Sequence, residues 1–101
     1  MNSNIYKSAG IIIEDRKILV EKDTDKDFFI SPGGKLEPGE TAKQALVREL
    51  QEEFTIGVDE NDLEEFGEFE AQASGQEHRI VHMIVYIVKK YSGKISHGHK
   101  V

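Results

Sequence analysis

Residues 34–56 read GKLEPGETAKQALVRELQEEFTI and follow a Ser31-Pro32-Gly33 run whose proline and glycine break regular structure. Thr41, followed three residues later by Gln44, has the spacing of a capping box and predicts a helix starting at about Thr41. The run AKQALVRELQEEF contains neither glycine nor proline, so the helix is expected to end between Phe54 and Gly57. At about 100° per residue, Leu46, Val47, Leu50 and Phe54 share one face, while Glu49, Glu52 and Glu53 gather on the neighbouring arc. Carboxylates spaced i, i+3 and i+4 repel one another unless cations neutralise them. Magnesium suits an oxygen-only site of this kind, because it keeps several waters and takes one or two carboxylates plus substrate phosphates. Read in isolation, the same cluster is more often a solvated helix face.

Outward from the helix, IYKSAGIIIE at 5–14 and KILVEK at 17–22 predict two strands forming an early hairpin around a turn at Glu14 to Arg16. FFI at 28–30 predicts a short strand running into the loop. LEEFGEFEA at 63–71 predicts an edge strand, and RIVHMIVYIVKK at 79–90 a long strand, apolar on both alternating faces and therefore covered on both sides. No repeat, linker or low-complexity tract interrupts the chain, and 101 residues suit a single domain over 1–101.

Composition narrows the function. With 38% hydrophobic and 32% charged residues, no apolar run approaches the roughly 18 residues of a membrane span, and MNSNIYKSAG does not read as a signal peptide, so a cytoplasmic protein is expected. The absence of cysteine excludes disulfides, thiolate metal sites and cysteine nucleophiles. A net charge of −6 disfavours non-specific nucleic-acid binding, yet divalent cations could still bridge clustered carboxylates to a phosphorylated small molecule. A homodimer is expected on general grounds, since symmetric dimers are common.

From Gly34 onward the stretch resembles the Nudix signature G-x5-E-x7-R-E-U-x-E-E-x-G-U, in which U is a bulky aliphatic residue. Gly34, Glu40, Arg48, Glu49, Leu50, Glu52, Glu53 and Ile56 occupy specified positions, and Thr55 stands where the pattern asks for glycine. Gly57 is expected to take over the left-handed turn that Thr55 displaces. The resemblance implies an α+β fold, a mixed β-sheet sandwiched between helices. It also implies a loop-helix-loop site in which Glu49, Glu52 and Glu53, with the Gly33 carbonyl, hold magnesium or alternatively manganese. Arg48 would pair with Glu52 and orient it, Gly34 would admit close backbone approach, and Glu40 would brace the loop. The implied chemistry is attack of water on a diphosphate phosphorus, catalysed through Arg48, Glu49, Glu52 and Glu53.

Two departures stand out. No Asp or Glu follows Glu77, although many members of the family carry a later catalytic carboxylate, and the chain ends at GKISHGHKV without the strand and helix that usually follow. A C-terminally truncated domain lacking its last covering helix is therefore expected. Neither a proline nor a tyrosine marks the subclass beyond the signature, so the expected activity is that of a MutT-like nucleoside triphosphate pyrophosphohydrolase with a small-molecule nucleotide substrate. The alternative is a catalytically weak nucleotide-binding or regulatory module.

Weaker candidates lie elsewhere. Asp23, Asp25 and Asp27 open like a calcium loop, but Phe28 and Gly34 occupy positions that need glycine and glutamate. His97 and His99 sit near the chain end, where exposed histidines are common. Phe28 or Phe29 could stack on a base, though both read first as core, and His82 could line a base pocket or be a satisfied interior histidine.

Overall fold

A computed structural model describes residues 3–22, 29–73, 76–96 and 99–100. In chain order the elements are β1 (Ser3–Ile11), β2 (Ile13–Glu14), β3 (Lys17–Lys22), β4 (Phe29–Ile30), β5 (Gly33–Lys35), α1 (Ala42–Phe54), one 3-10 turn (Glu60–Asp62), β6 (Leu63–Ala73), β7 (Gln76–Val88) and β8 (His99–Lys100). The main sheet has the order β5-β1-β7-β6. It is mixed, because β1 runs parallel to β7 while β1–β5 and β6–β7 are antiparallel. A smaller sheet joins β2, β3 and β4, with β8 also on β3.

The expected early hairpin is shorter than its sequence suggests. Only Ile13 and Glu14 pair with β3, through a two-residue turn in which Asp15 and Arg16 take φ of 53° and 65°, the left-handed pair that matches strand twist. The rest of the first strand turns away to pair with β7, from Ser3↔Arg79 to Ile11↔Ile87. That pairing is invisible locally because its partners lie some seventy residues apart.

Helix α1 begins as its cap demands. Thr41 Oγ1 accepts a hydrogen bond from the Gln44 amide at 3.1 Å, and Gln44 Oε1 accepts one from the Thr41 amide at 2.9 Å. Both satisfy N-terminal donors that the helix itself leaves unpaired. Its apolar face buries Ala42, Ala45, Leu46, Leu50 and Phe54 against a core that includes Ile12, Leu19, Ile56, Leu63, Tyr86 and Val88. Gly10 on β1 lets the helix lie close, since a Cβ there would sit 3.3 Å from a Leu46 methyl.

Helix α1 covers one side of the mixed sheet, and among the described residues no second α-helix lies on the other, in keeping with the expected α+β fold without its last covering helix. Two expectations need correction. Strand β7 is accordingly not covered on both sides: Tyr86 and Val88 are buried, but residues 79–85 are only partly so. The left-handed residue at the helix end is Thr55 itself, with φ 57° and ψ 32°, and Gly57 instead bridges to Ser92. Gly57 cannot relieve Thr55, because the chain must turn at the first residue after the last helical one.

Candidate active site

Two glycines set the loop that precedes α1. Gly33 has φ of 149° and pairs with Ala9, and a Cβ there would fall 2.1 Å from the Ser8 carbonyl oxygen, so no larger residue fits. Gly34 faces the helix, and its bare Cα leaves room for the Glu49 carboxylate, whose Oε1 would lie 2.7 Å from an added Cβ. The loop then returns on itself through Glu40. Its Oε1 accepts the Glu37 amide at 2.7 Å, a bond that closes this stretch of the loop.

Arg48 is the hub. Its Nε donates to Glu40 Oε2 at 2.7 Å and its Nη2 to Glu40 Oε1 at 3.0 Å, a bidentate pair that joins loop to helix. Its Nη1 donates to Glu49 Oε1 at 3.0 Å and to Glu52 Oε2 at 3.3 Å, while Nη2 also reaches the Lys35 carbonyl at 3.2 Å. Glu37 lies 3.6 Å from the same guanidinium. The expected pairing of Arg48 with Glu52 is therefore present, but it is the longer of the arrangement's bonds. Sequence spacing favours i, i+4 neighbours, whereas the loop folds Glu40 back from eight residues away to the better position. The hydrogen bonds from Arg48 and then from the Glu37 amide hold the Glu40 carboxyl below its ordinary value near 4.5. The same contact with Glu40 pushes the Arg48 guanidinium still further from deprotonation.

The three helical glutamates are not equivalent. Glu49 is mostly enclosed between Gly34 and Arg48, Glu52 is exposed but bonded to Arg48, and Glu53 is exposed and outside the arginine's reach. Among the described residues, no three acidic or histidine side chains are gathered tightly enough to hold a metal ion. Arg48 draws two of them toward itself, and the third is solvent-exposed.

Beyond the helix, His82 is partly exposed and doubly tethered. One ring nitrogen, Nε2, is 2.8 Å from Asn4 Oδ1 and the other, Nδ1, is 2.9 Å from Glu70 Oε1. Its ring stacks on Tyr6, centroids 4.8 Å apart and planes 13° from parallel. No local pattern reveals this pair, which depends on the β1–β7 register placing Tyr6 opposite His82. Asp23, Asp25, Asp27, Phe28 and His97 lie outside the described residues, as do the side chains of Phe29 and His99.

Comparison with known proteins agrees with this loop-helix arrangement. The NUDIX domain family matches residues 6–100. The CTP pyrophosphohydrolase of Escherichia coli K12 is 35% identical over 97 residues, covering 91% of this chain and 68% of that protein. The 8-oxo-dGTP diphosphatase of Haemophilus influenzae is 35% identical over 95 residues, covering 89% of this chain and 66% of that protein. The chain thus spans about two thirds of the length of these relatives. The solution structure of the ORF135 protein of Escherichia coli superposes with a TM-score of 0.79 at 32% identity, over 97% of this chain and 69% of that one. With a braced glycine loop, an arginine hub and a glutamate-bearing helix on this fold, the chain belongs to the Nudix family of hydrolases, which act on phosphoric anhydrides.

Proposed function

We propose that this chain hydrolyses the phosphoanhydride of a nucleoside triphosphate, in the manner of a MutT-like pyrophosphohydrolase, with a divalent cation, magnesium or manganese, held through Glu49, Glu52, Glu53 and the Gly33 carbonyl. The observation that carries the reading is the seating of the Glu49 carboxylate against the bare Cα of Gly34, under the Arg48–Glu40 pair. A purely structural helix face has no use for a glycine at that position. The names of the two relatives support CTP and oxidised guanine nucleotides as the first substrates to try.

Carboxylate oxygens are the donors a hard cation takes, and one held by Glu49, Glu52 and Glu53, whose side chains would have to turn together from the positions they occupy, would supply Lewis-acid polarisation of the diphosphate oxygens. The chain's own groups do the rest. Glu40 and the Lys35 carbonyl fix the Arg48 guanidinium, which in turn orients Glu49 and Glu52. Glu53, the carboxylate that Arg48 leaves unclaimed, would accept the proton of the attacking water. The water oxygen forms a bond to phosphorus, the bridging P–O bond breaks, and its electron pair leaves with the departing phosphate group. A nucleoside monophosphate and pyrophosphate result.

The test is hydrolysis of a nucleotide panel with and without magnesium. Wild type is expected to release pyrophosphate only with the metal, and Glu53→Gln to lower kcat by about 10²–10⁴-fold with unchanged thermal unfolding. Nucleotide binding with no metal-dependent turnover would instead favour the binding or regulatory module, a reading to which the untethered Glu53 gives some footing.

A further inference from the structure

The Tyr6–His82 stack stands on the same side of the main sheet as α1 but beyond the helix's cover, since Tyr6 shares its alternation with Gly10, which abuts Leu46. Tyr6 is 51% exposed, whereas the core residues of that side are buried. His82 occupies one face of its ring from β7. The other face looks toward β5 and the loop after it, because β5 is the neighbour of β1 on the opposite side from β7. A hollow of about 430 Å³ lies there, bounded by Asn4, Tyr6, Lys35, Leu36, Pro38 and Arg79, and also by Glu40 of the arginine brace. The Leu36 amide donates to the Tyr6 carbonyl at 3.0 Å, which fixes the spacing between the tyrosine and the loop.

We propose that this hollow is a base slot: a planar heteroaromatic base stacks on the free face of Tyr6 while its phosphates extend along the catalytic loop. The proposal rests on the pyrophosphohydrolase reading for its phosphate end only. Three features support it. An exposed aromatic ring backed by a second ring is a stiff platform, and stacking on such a platform is strong and tolerant of base identity. His82 is held through both ring nitrogens by Asn4 and Glu70, so the platform does not rotate when the slot empties. Lys35 lines the hollow beside Arg79, Glu37 and Glu40, and its ammonium gives a phosphorylated ligand a cation to meet there.

The nature of the walls predicts the selectivity. Of the polar groups in the walls, Glu40 is committed to Arg48, Glu37 lies 3.6 Å from the same guanidinium and Asn4 is held by His82, leaving stacking as the main contact to the base. Selection should therefore follow ring area more than edge pattern, so that guanine nucleotides bind more tightly than cytosine nucleotides and both are accepted.

The experiment measures binding of GMP, CMP and ribose 5-phosphate to wild type, Tyr6→Phe, Tyr6→Leu and Tyr6→Ala by calorimetry without added metal, together with KM and kcat for GTP and CTP with magnesium. Tyr6→Ala and Tyr6→Leu are expected to weaken GMP and CMP by roughly 10-fold or more, with GMP losing more, while ribose 5-phosphate binding stays unchanged. KM for the triphosphates should rise by a similar factor with kcat retained, and Tyr6→Phe should behave as wild type. The slot is overturned if wild type binds GMP no better than ribose 5-phosphate, or if the leucine and alanine variants bind GMP as wild type does. Because Tyr6 is half exposed, at least one of these variants should fold, and circular dichroism verifies it. Base-dependent binding through Tyr6 with no turnover of any triphosphate would sink the hydrolase reading and leave the slot standing. Turnover that ignores Tyr6 would do the reverse.

Discussion

The region around α1 and the far reach of the β6–β7 pair are built on opposite terms. Around the helix, Leu46, Leu50, Phe54 and Ile56 have no exposed surface, and every turn of the preceding loop is tied by a hydrogen bond or a steric limit. Across the sheet, Phe66 and Phe69 are 59% and 52% exposed, and Val81, Met83, Val85 and Ile87 are only partly buried. The difference shows where rigidity is concentrated. Groups that must hold a charged constellation to within a fraction of an ångström sit on the fully packed side, while the strands behind Phe69 serve as a frame whose outer side tolerates change.

The sharpest way to break this contrast is to truncate one phenylalanine from each region. Phe54→Ala removes a side chain with no exposed surface and should cost about 3–5 kcal/mol, a large share of the stability of a domain this small. Phe69→Ala, at 52% exposure, should cost under about 1 kcal/mol. Chemical denaturation of both variants provides the measurement. Equal losses would mean that the β6–β7 side is as tightly packed as the helix side, and the distinction between site and frame would collapse.

The two regions also differ in how far the sequence reveals them. Thr41, Gln44 and the period of Leu46, Leu50 and Phe54 predict a helix from about Thr41 to between Phe54 and Gly57, close to the observed Ala42–Phe54, because caps and helical periodicity are local. KILVEK becomes β3 at the same boundaries for a similar reason: left-handed turn residues precede it and apolar residues fill it. Gly34 was legible too, through the signature. What could not be read is everything that depends on distant register. The parallel pairing of β1 with β7, the irregularity between Glu65 and Gly67 that turns Phe66 out, and the Tyr6–His82 stack each join residues without a local sequence relationship. The primacy of Glu40 over Glu52 as the partner of Arg48 was hidden likewise, since a loop's path decides it and helix geometry does not.

That loop-to-helix pair yields a second, smaller effect with a definite sign. The Glu40 carboxyl is held below its ordinary value chiefly by the hydrogen bonds from Arg48. A group whose folded pKa is depressed contributes stability that is present above its unfolded value and lost as pH falls through its folded value. Wild type should therefore exceed Glu40→Gln in thermal midpoint by a constant amount above about pH 4.5, and the gap should shrink as the pH drops below that. Midpoints at pH 7, 5, 4 and 3 settle the matter. A gap that stays the same at pH 3 would mean that the ion pair is not what Glu40 contributes.

The smallest effect lies at the junction of the two regions, where two opposing terms meet at Thr55. A β-branched residue at φ 57° is unfavourable by roughly 1–2 kcal/mol relative to glycine. Against this, Thr55 Oγ1 donates to the Phe54 carbonyl at 2.6 Å and can accept from the Ser96 hydroxyl at 2.9 Å, a contact that ties the segment after β7 to the end of α1. Gly93, at φ 91°, helps the segment approach, since a Cβ there would stand 3.2 Å from the Thr55 carbonyl oxygen. Thr55→Gly removes both the strain and the tether and should shift stability by less than about 1 kcal/mol. Thr55→Val keeps the strain, removes the hydroxyl and should destabilise by about 1–2 kcal/mol. If valine proves as stable as threonine, the hydroxyl contacts contribute nothing, and the departure from glycine at this signature position is left with no compensating contact. If instead glycine is more stable than threonine by several kcal/mol, strain dominates, and the helix end must be counted with the loosely held frame.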